Sequence, residues 1–151
     1  MKVLLSWGPS GGSLPLPQGE RGLRFAGYAA VFDRPDRGGD VVRKGAFLAS
    51  LKAGEAVPLL WQHRAGAVIG RVQHLSEDQR GLRVIAELGT GEDARRAARL
   101  IASGKLDGLS FGYRVRRAKN GAYRELHELD LIEVSLVTEP MQTRARVHAV
   151  E

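Results

Sequence analysis

Cysteine is absent from the 151-residue chain. Without a thiol, the protein can form no disulfide, no thiolate nucleophile and no cysteine-ligated zinc site. Long apolar runs are also missing, since the longest one, residues 56–61, is far shorter than the ~20 residues of a membrane helix. These absences predict a cytoplasmic protein without a membrane span, in which a serine is the strongest candidate for a nucleophile.

Histidines are few and are not spaced as metal ligands. The four are His63, His74, His127 and His148, and they form no H-x-x-H or H-E-x-x-H pair. The ligands of a zinc site would have to converge from scattered positions. The sequence therefore predicts no metal site, and no cofactor is expected.

Positive charge exceeds negative charge, with 23 lysines and arginines against 17 acidic residues and a net charge of +6. Such a balance favours acidic partners but does not determine the fold. Apolar residues make 43% of the chain and charged residues 26%, which is usual for a folded protein. The length fits a single domain over residues 1–151, in which residues 1–22 are expected to form a flexible or extended segment rich in glycine and proline.

Short, loosely alternating segments separated by turn residues predict a mainly β structure. The predicted strands are residues 23–32, 56–61, 67–75, 81–88, 109–117, 122–129, 131–138 and 145–150. Helical spacing of apolar residues predicts two helices, over residues 44–54 and 92–103. Because strands and helices do not alternate, a parallel βαβ sheet is not expected. We predict an α+β, mainly β fold: a compact, largely antiparallel β-barrel with a few peripheral helices.

One motif, Gly108-Leu109-Ser110-Phe111-Gly112, matches the G-x-S-x-G nucleophile elbow of α/β hydrolases. The elbow requires a strand before the serine and a helix after it. Here the predicted helix comes before the serine and an alternating strand follows, so we reject the elbow interpretation. Ser110 remains a candidate nucleophile because flanking glycines allow a backbone to approach a substrate carbonyl closely.

A serine nucleophile needs a base, and the base needs a group that orients it. His63 is the favoured base because it follows an apolar segment at its polar end. Glu133 is a candidate for the orienting group because it interrupts an apolar run, where an unpaired carboxylate is costly. Strand alternation alone would equally place Glu133 on a solvent face, so the pattern leaves its role open.

Eight short blocks between residues 27 and 149 carry a resemblance to a known family. They are GYAAVF (27–32), DVV (40–42), GAF (45–47), LLWQH (59–63), IGRV (69–72), GL (81–82), GLSFGY (108–113) and LIEVSLVTEP (131–140). In this order and spacing, the blocks resemble the prohead (capsid maturation) proteases of tailed phages and the related enzyme of gene transfer agents.

The resemblance implies a serine endopeptidase whose fold is similar to that of the herpesvirus assemblins. By matching position, it implies Ser110 as the nucleophile, His63 as the general base and Glu133 as the third catalytic member. The viral relatives use a second histidine in the third role, so His127 is the alternative. The resemblance also implies a capsid or scaffold protein as substrate, action inside assembling proheads, a homodimer and self-cleavage.

A binding-only function is the competing interpretation: a non-catalytic basic binding module or scaffold module of capsid assembly. Its support is the net charge and a cluster of basic residues, Arg114, Arg116, Arg117, Lys119 and Arg124. Few aromatic residues lie between these basic residues, and no nucleic-acid-binding signature is present. Nucleic acid is therefore not an expected partner.

Overall fold

The computed structural model describes residues 22–151 and places eight strands and two helices in that range. In chain order they are β1 (Arg24–Val31), β2 (Asp40–Val42), α1 (Leu48–Ala53), β3 (Pro58–Trp61), β4 (Val68–Glu77), β5 (Gly81–Leu88), α2 (Glu92–Ala102), β6 (Gly108–Lys119), β7 (Arg124–Val137) and β8 (Val147–Val150). The predicted mainly β fold is confirmed. The segment predicted to be flexible or extended, residues 1–22, lies outside the described residues except for Gly22.

All eight strands belong to one sheet, with the order β2-β7-β3-β4-β5-β1-β8 and with β6 paired to β7. Five of the neighbouring pairs are antiparallel, whereas β2 and β3 both run parallel to β7. Since β6 pairs along almost the whole length of β7, β2 and β3 must share its opposite edge. The prediction of a largely antiparallel sheet is confirmed. The two parallel strand pairs of the sheet both involve β7.

The sheet curls into a half-barrel because the segment before β8 connects β6 to β1. The N–H of Leu109 donates to the carbonyl of Ala145 at 2.9 Å, and the N–H of Val147 donates to the carbonyl of Asp107 at 2.8 Å. The strand β8 itself pairs with β1. The beginning of β6 is therefore held on both sides, whereas the rest of β6 pairs only with β7.

The core lies inside this curl and is built from large apolar side chains. The largest that are fully buried are Phe25, Phe47, Leu59, Leu82, Leu88, Leu109, Leu126, Leu129 and Leu136. Each side chain of this size contributes about 1.5–3 kcal/mol by leaving water. The helix α2 packs Ala94, Ala97 and Ile101 against the core, as its spacing predicts. Within the described residues, no helix is long and apolar enough to cross a membrane.

The strand β7 is one 14-residue strand where the sequence predicted two, residues 122–129 and 131–138. Asp130 lies between the predicted strands, yet it stays in the ladder opposite Arg114. A charged residue in a half-solvated strand needs only an outward-facing position, so it does not end the strand.

The helix α1 begins at Leu48, four residues later than the sequence predicted. Gly45 has φ 89°, which interrupts a helix. The Glu77 carboxylate then accepts the N–H groups of Gly45 and Phe47, both at 2.8 Å, and holds this segment as a turn. The short strand β2 was not predicted, because it depends on pairing with β7 rather than on its own residues.

Candidate active site

Three adjacent strands bring the predicted site residues together. In the sheet, β7 lies between β3 and β6, and its residue Ser135 faces Leu60 of β3 on one side and Ser110 of β6 on the other. His63 follows the end of β3 by two residues. The sheet therefore places His63 and Ser110 on opposite sides of the same short stretch of β7.

The turn that carries His63 has an unusual backbone. Gln62 and His63 both lie in the left-handed region, with φ values of 51° and 61°, which costs free energy for residues other than glycine. The N–H of Gln62 donates to the carbonyl of Leu136 at 3.0 Å, and the N–H of Thr138 donates to the Gln62 side chain at 3.3 Å. These contacts with β7 and the residue after it keep the turn in a conformation that His63 alone would not favour.

The His63 ring is in direct contact with Glu133. The distance between His63 Nδ1 and Glu133 Oε1 is 2.5 Å, and the hydroxyl of Ser135 donates to Glu133 Oε2 at 2.6 Å. The Glu133 side chain is 9% exposed and that of His63 is 41% exposed. The hydrogen bond with Glu133 raises the pKa of His63, against an opposing effect of burial. The arrangement can hold an imidazole in one tautomer and stabilise its cation.

The second glycine of the Gly108–Gly112 motif makes room for this contact. Gly112 lies opposite Glu133 in the β6–β7 ladder. A Cβ atom on Gly112 would lie 2.4 Å from Glu133 Oε1, so the Glu133 side chain crosses the strand where only glycine leaves space. The motif lies entirely within β6, and the helix α2 ends before it. The rejection of a nucleophile elbow is therefore confirmed.

Ser110 lies on β6 directly opposite Ser135 and is 6% exposed. Its hydroxyl has no hydrogen-bond partner among the described residues, and no fully enclosed polar side-chain atom in that range is without a partner. It follows that Ser110 Oγ reaches solvent. A cavity of about 60 Å³, bounded in part by Ala29, Phe111 and Met141, opens beside it.

His63 Nε2 also has no hydrogen-bond partner among the described residues. With Nδ1 facing Glu133, Nε2 is the ring atom that remains able to accept a proton. A histidine and a serine whose reactive atoms are both unpartnered can take part in proton transfer and nucleophilic attack once a substrate is bound.

The other histidines lie elsewhere. His127 contacts Glu125 at 3.2 Å and lies six residues, or about 20 Å, along β7 from Glu133. His74 contacts the hydroxyl of Ser76 at 3.2 Å. The His148 ring packs against Tyr28, and burial is the main cause that lowers the pKa of His148. Among the four histidines, all within the described residues, only His63 contacts Glu133.

The basic cluster offered as a binding surface lies on the exposed half of the β6–β7 pair. All five members have acidic neighbours. Arg114, Arg117 and Lys119 are register partners of Asp130, Glu128 and Glu125, and Arg116 and Arg124 form ion pairs with Asp130 and Asp40. The cluster is therefore largely balanced by negative charge. Within residues 22–151, no group of three or more acidic or histidine side chains is arranged to hold a metal ion.

Ser135 and Gly112 belong to the site, but the sequence predicted no role for Ser135 and treated Gly112 only as a glycine that flanks Ser110. Ser135 is a polar residue inside the apolar run of β7, which is the same signal that drew attention to Glu133. That Gly112 leaves space for Glu133 was not predictable from the sequence, because it depends on which residue of β7 lies opposite Gly112.

Comparison with known proteins gives a match to one family and a similarity to one protein of that family. Residues 13–151 match the family described as caudovirus prohead serine protease. Over 144 residues the chain is 29% identical to the prohead protease of Enterobacteria phage HK97. The matched region covers 88% of this chain and 62% of that protein. The sequence resemblance noted above is thereby confirmed at the level of the family.

Two solved structures share the fold. The varicella-zoster virus protease has a TM-score of 0.58 at 15% identity, covering 85% of this chain and 64% of that one. A KSHV protease in complex with a hexapeptide phosphonate inhibitor has a TM-score of 0.55 at 14% identity, covering 87% and 65%. The expected herpesvirus-protease-like fold is confirmed. The chain spans less than two thirds of the length of each of these relatives.

Proposed function

The chain belongs to the caudovirus prohead serine protease family, and on that premise we propose that it is a serine endopeptidase that cleaves capsid or scaffold protein during prohead maturation. The observation that carries this proposal is the 2.5 Å contact between His63 and a buried Glu133 beside Ser110. The Ser110 hydroxyl has no hydrogen-bond partner among the described residues. Ser110 is the nucleophile, His63 the general base and Glu133 the third member.

In the proposed reaction, His63 Nε2 takes the proton of Ser110 as Ser110 Oγ attacks the carbonyl carbon of a peptide bond. The resulting imidazolium is stabilised by Glu133 at Nδ1. His63 then gives the proton to the leaving amine, the peptide bond breaks and an ester to Ser110 remains. A water molecule then attacks this ester while His63 takes its proton, and His63 returns that proton to Ser110 Oγ as the acid product leaves.

The substrate would bind as an extended strand beside β6. One edge of β6 pairs with β7. After Leu109, the opposite edge of β6 has no backbone partner in the described part of the chain. An open strand edge offers N–H and C=O groups to an extended peptide. The cavity beside Ser110 lies next to this edge and could receive one substrate side chain.

The major capsid protein, or a scaffold protein that accompanies it, is the proposed substrate inside the assembling prohead. The net charge of +6 favours association with acidic segments of such a partner. A homodimer and self-cleavage are further proposals for this chain. A specific activity that does not change on dilution from micromolar to nanomolar protein would contradict the homodimer.

The proposal is tested by co-expressing the chain with the major capsid protein proposed as its substrate and measuring the mass of the capsid subunit. With the wild-type chain we expect a shortened subunit, and with Ser110→Ala we expect the full-length subunit. Ser103→Ala is the matched control, because this exposed serine lies at the end of α2 and its hydroxyl only donates to the carbonyl of Leu100. Undiminished processing by Ser110→Ala would overturn the assignment of the nucleophile.

A second measurement needs no natural substrate. A fluorophosphonate reacts with an activated serine, whose oxygen bonds to phosphorus while fluoride leaves and the serine proton is taken up by the base. We expect one adduct, located on Ser110 by peptide mass analysis, and none in Ser110→Ala or His63→Ala. An adduct on another serine at the wild-type rate would contradict the proposal.

A further inference from the structure

We propose that Ser135 is a positioning residue that holds both the backbone and the ring of His63 in register with Glu133. The inference rests on the proposed function, because it concerns how that same site is kept ready. The sequence reasoning and the family match give Ser135 no role.

Three hydrogen bonds form a closed circuit through Ser135. The backbone N–H of His63 donates to Ser135 Oγ at 3.1 Å, and the Ser135 hydroxyl donates to Glu133 Oε2 at 2.6 Å. Glu133 Oε1 in turn contacts His63 Nδ1 at 2.5 Å. One hydroxyl group therefore links the main chain of the base to the carboxylate that orients its ring.

The direction of these bonds assigns every hydrogen. An amide N–H can only donate, so the Ser135 oxygen accepts from His63. The single hydroxyl hydrogen of Ser135 is then available for Glu133 Oε2, and Oε1 remains free for the imidazole. Removing the Ser135 hydroxyl would leave one backbone donor and one carboxylate oxygen without their partners at once.

Ser135 is placed to act on the site without taking part in the reaction. It is 0% exposed, so a substrate cannot reach its hydroxyl. It lies directly opposite Ser110, at a Cβ separation of about 4.5–5.5 Å for such cross-strand neighbours. Because its hydrogen is committed to Glu133, Ser135 does not donate to Ser110 Oγ.

The left-handed turn explains why such a support is needed. Gln62 and His63 both have positive φ, a conformation that persists only where surrounding contacts maintain it. Ser135 supplies the contact at His63 itself, whereas the carbonyl of Leu136 supplies the one at Gln62. Without Ser135, the His63 backbone can relax and carry the ring away from both Glu133 and Ser110.

The test is the rate at which a fluorophosphonate labels the full chain carrying Ser135→Ala. Loss of two hydrogen bonds from the site predicts a rate about 10- to 100-fold lower than wild type. The matched control is Ser50→Ala, because the hydroxyl of Ser50 also accepts a backbone N–H on β7, that of Leu131 at 2.9 Å, and Ser50 lies outside the circuit. Ser50→Ala is expected to label within about 2-fold of wild type, while its unfolding temperature changes by about as much as that of Ser135→Ala.

Two further readouts separate positioning from general destabilisation. In the NMR spectrum, the far-downfield Nδ1 proton of His63 should be present in wild type and in Ser50→Ala and be lost or shifted upfield in Ser135→Ala. In a Glu133→Gln background, Ser135→Ala should lower the labelling rate by less than about 2-fold, since the circuit is already broken. An equal fold-loss in both backgrounds, or an unchanged Nδ1 resonance, would overturn the role of Ser135.

Failure of this inference is distinguishable from failure of the proposed function. If Ser110→Ala still labels at the wild-type rate, Ser110 is not the nucleophile and the proposed function falls. If Ser110→Ala does not label while Ser135→Ala labels like wild type, the function stands and only the positioning role is contradicted.

Discussion

In the described part of the chain, two glutamates of β7 each contact a histidine: Glu133 contacts His63 near one end of the strand, and Glu125 contacts His127 at the other. His63 and Glu133 are 2.5 Å apart, and the Glu133 side chain is 9% exposed. His127 and Glu125 are 3.2 Å apart, and the Glu125 side chain is 29% exposed. The two glutamates lie on the same strand, yet each glutamate and its histidine partner occupy a different environment.

The partners of the two carboxylates explain the difference. Glu125 also accepts from the Arg43 guanidinium at 3.0 Å, and this permanent cation is the main cause that lowers the pKa of Glu125. Glu133 contacts no arginine or lysine in the described range, and its partners are the Ser135 hydroxyl and the His63 ring. A carboxylate whose charge is not matched by arginine is available to stabilise an imidazolium.

A histidine–glutamate pair alone therefore does not produce the environment found around Glu133. At the Glu133 end, burial reduces screening by water, Ser135 fixes the second oxygen, and Gly112 leaves the space that the side chain occupies. At the Glu125 end, the strands extend into solvent and their charged residues pair across the ladder. Exposed pairs of that kind contribute little to stability, because water and salt screen their charges.

Substitutions at the two ends of β7 should differ most in how strongly they lower the fluorophosphonate labelling rate. Glu133→Gln should lower the fluorophosphonate labelling rate by about 10³-fold or more, because an amide does not stabilise the imidazolium and permits the wrong tautomer. His127→Ala should leave the rate within about 2-fold, since its contacts are with Glu125 at the other end of β7. If His127→Ala is the more damaging change, the third member is the histidine and the comparison is reversed.

A smaller effect is expected from glycine substitutions at the two ends. Gly112→Ala places a Cβ 2.4 Å from Glu133 Oε1, so Glu133 must shift, and we expect a labelling rate roughly 10- to 100-fold lower. Gly121→Ala is the matched control in the β6–β7 turn, where the Cβ would meet its nearest neighbour, the Tyr123 carbonyl oxygen, at an ordinary 3.5 Å. Equal rates for the two variants would show that Glu133 does not need its observed position.

The smallest expected effect is a shift along the pH axis. Since the neutral imidazole is the base and Glu133 raises the pKa of His63 above 6.5, the labelling rate should rise with pH through a midpoint above 6.5. In Glu133→Gln only the lowering effect of burial remains, so the His63 ring should titrate at lower pH. Following the His63 ring protons by NMR from about pH 5 to pH 9 measures both midpoints.

The same shift has a defined consequence for stability. Because the pKa of His63 is raised in the folded protein, the pair with Glu133 stabilises the fold fully below the unfolded-state pKa. This contribution is lost as pH rises through the folded-state pKa. If the His63 ring of the wild type titrates with a midpoint at or below pH 6.5, Glu133 does not raise its pKa. An unchanged His63 midpoint in Glu133→Gln would contradict the same assignment.

Much of the fold was predictable because its strands and main helix carry local signals. Alternation and turn residues located β1, β4 and β5 within a few residues, and the apolar spacing of α2 predicted its buried face. The short strand β2 and the continuity of β7 were missed. Both depend on long-range pairing, which contributes hydrogen bonds that the local sequence does not reveal.

The sequence alone determined a cysteine-free, mainly β chain with serine as its candidate nucleophile, and through the order of its motifs it pointed to Ser110, His63 and Glu133. It left open whether Glu133 faces solvent. The folded chain buries Glu133, brings it to His63 rather than to an arginine, and joins the two through Ser135. His63 reaches Glu133 and Ser135 across about 70 positions of the chain, because β3 pairs in parallel with β7, and no local pattern encodes that pairing.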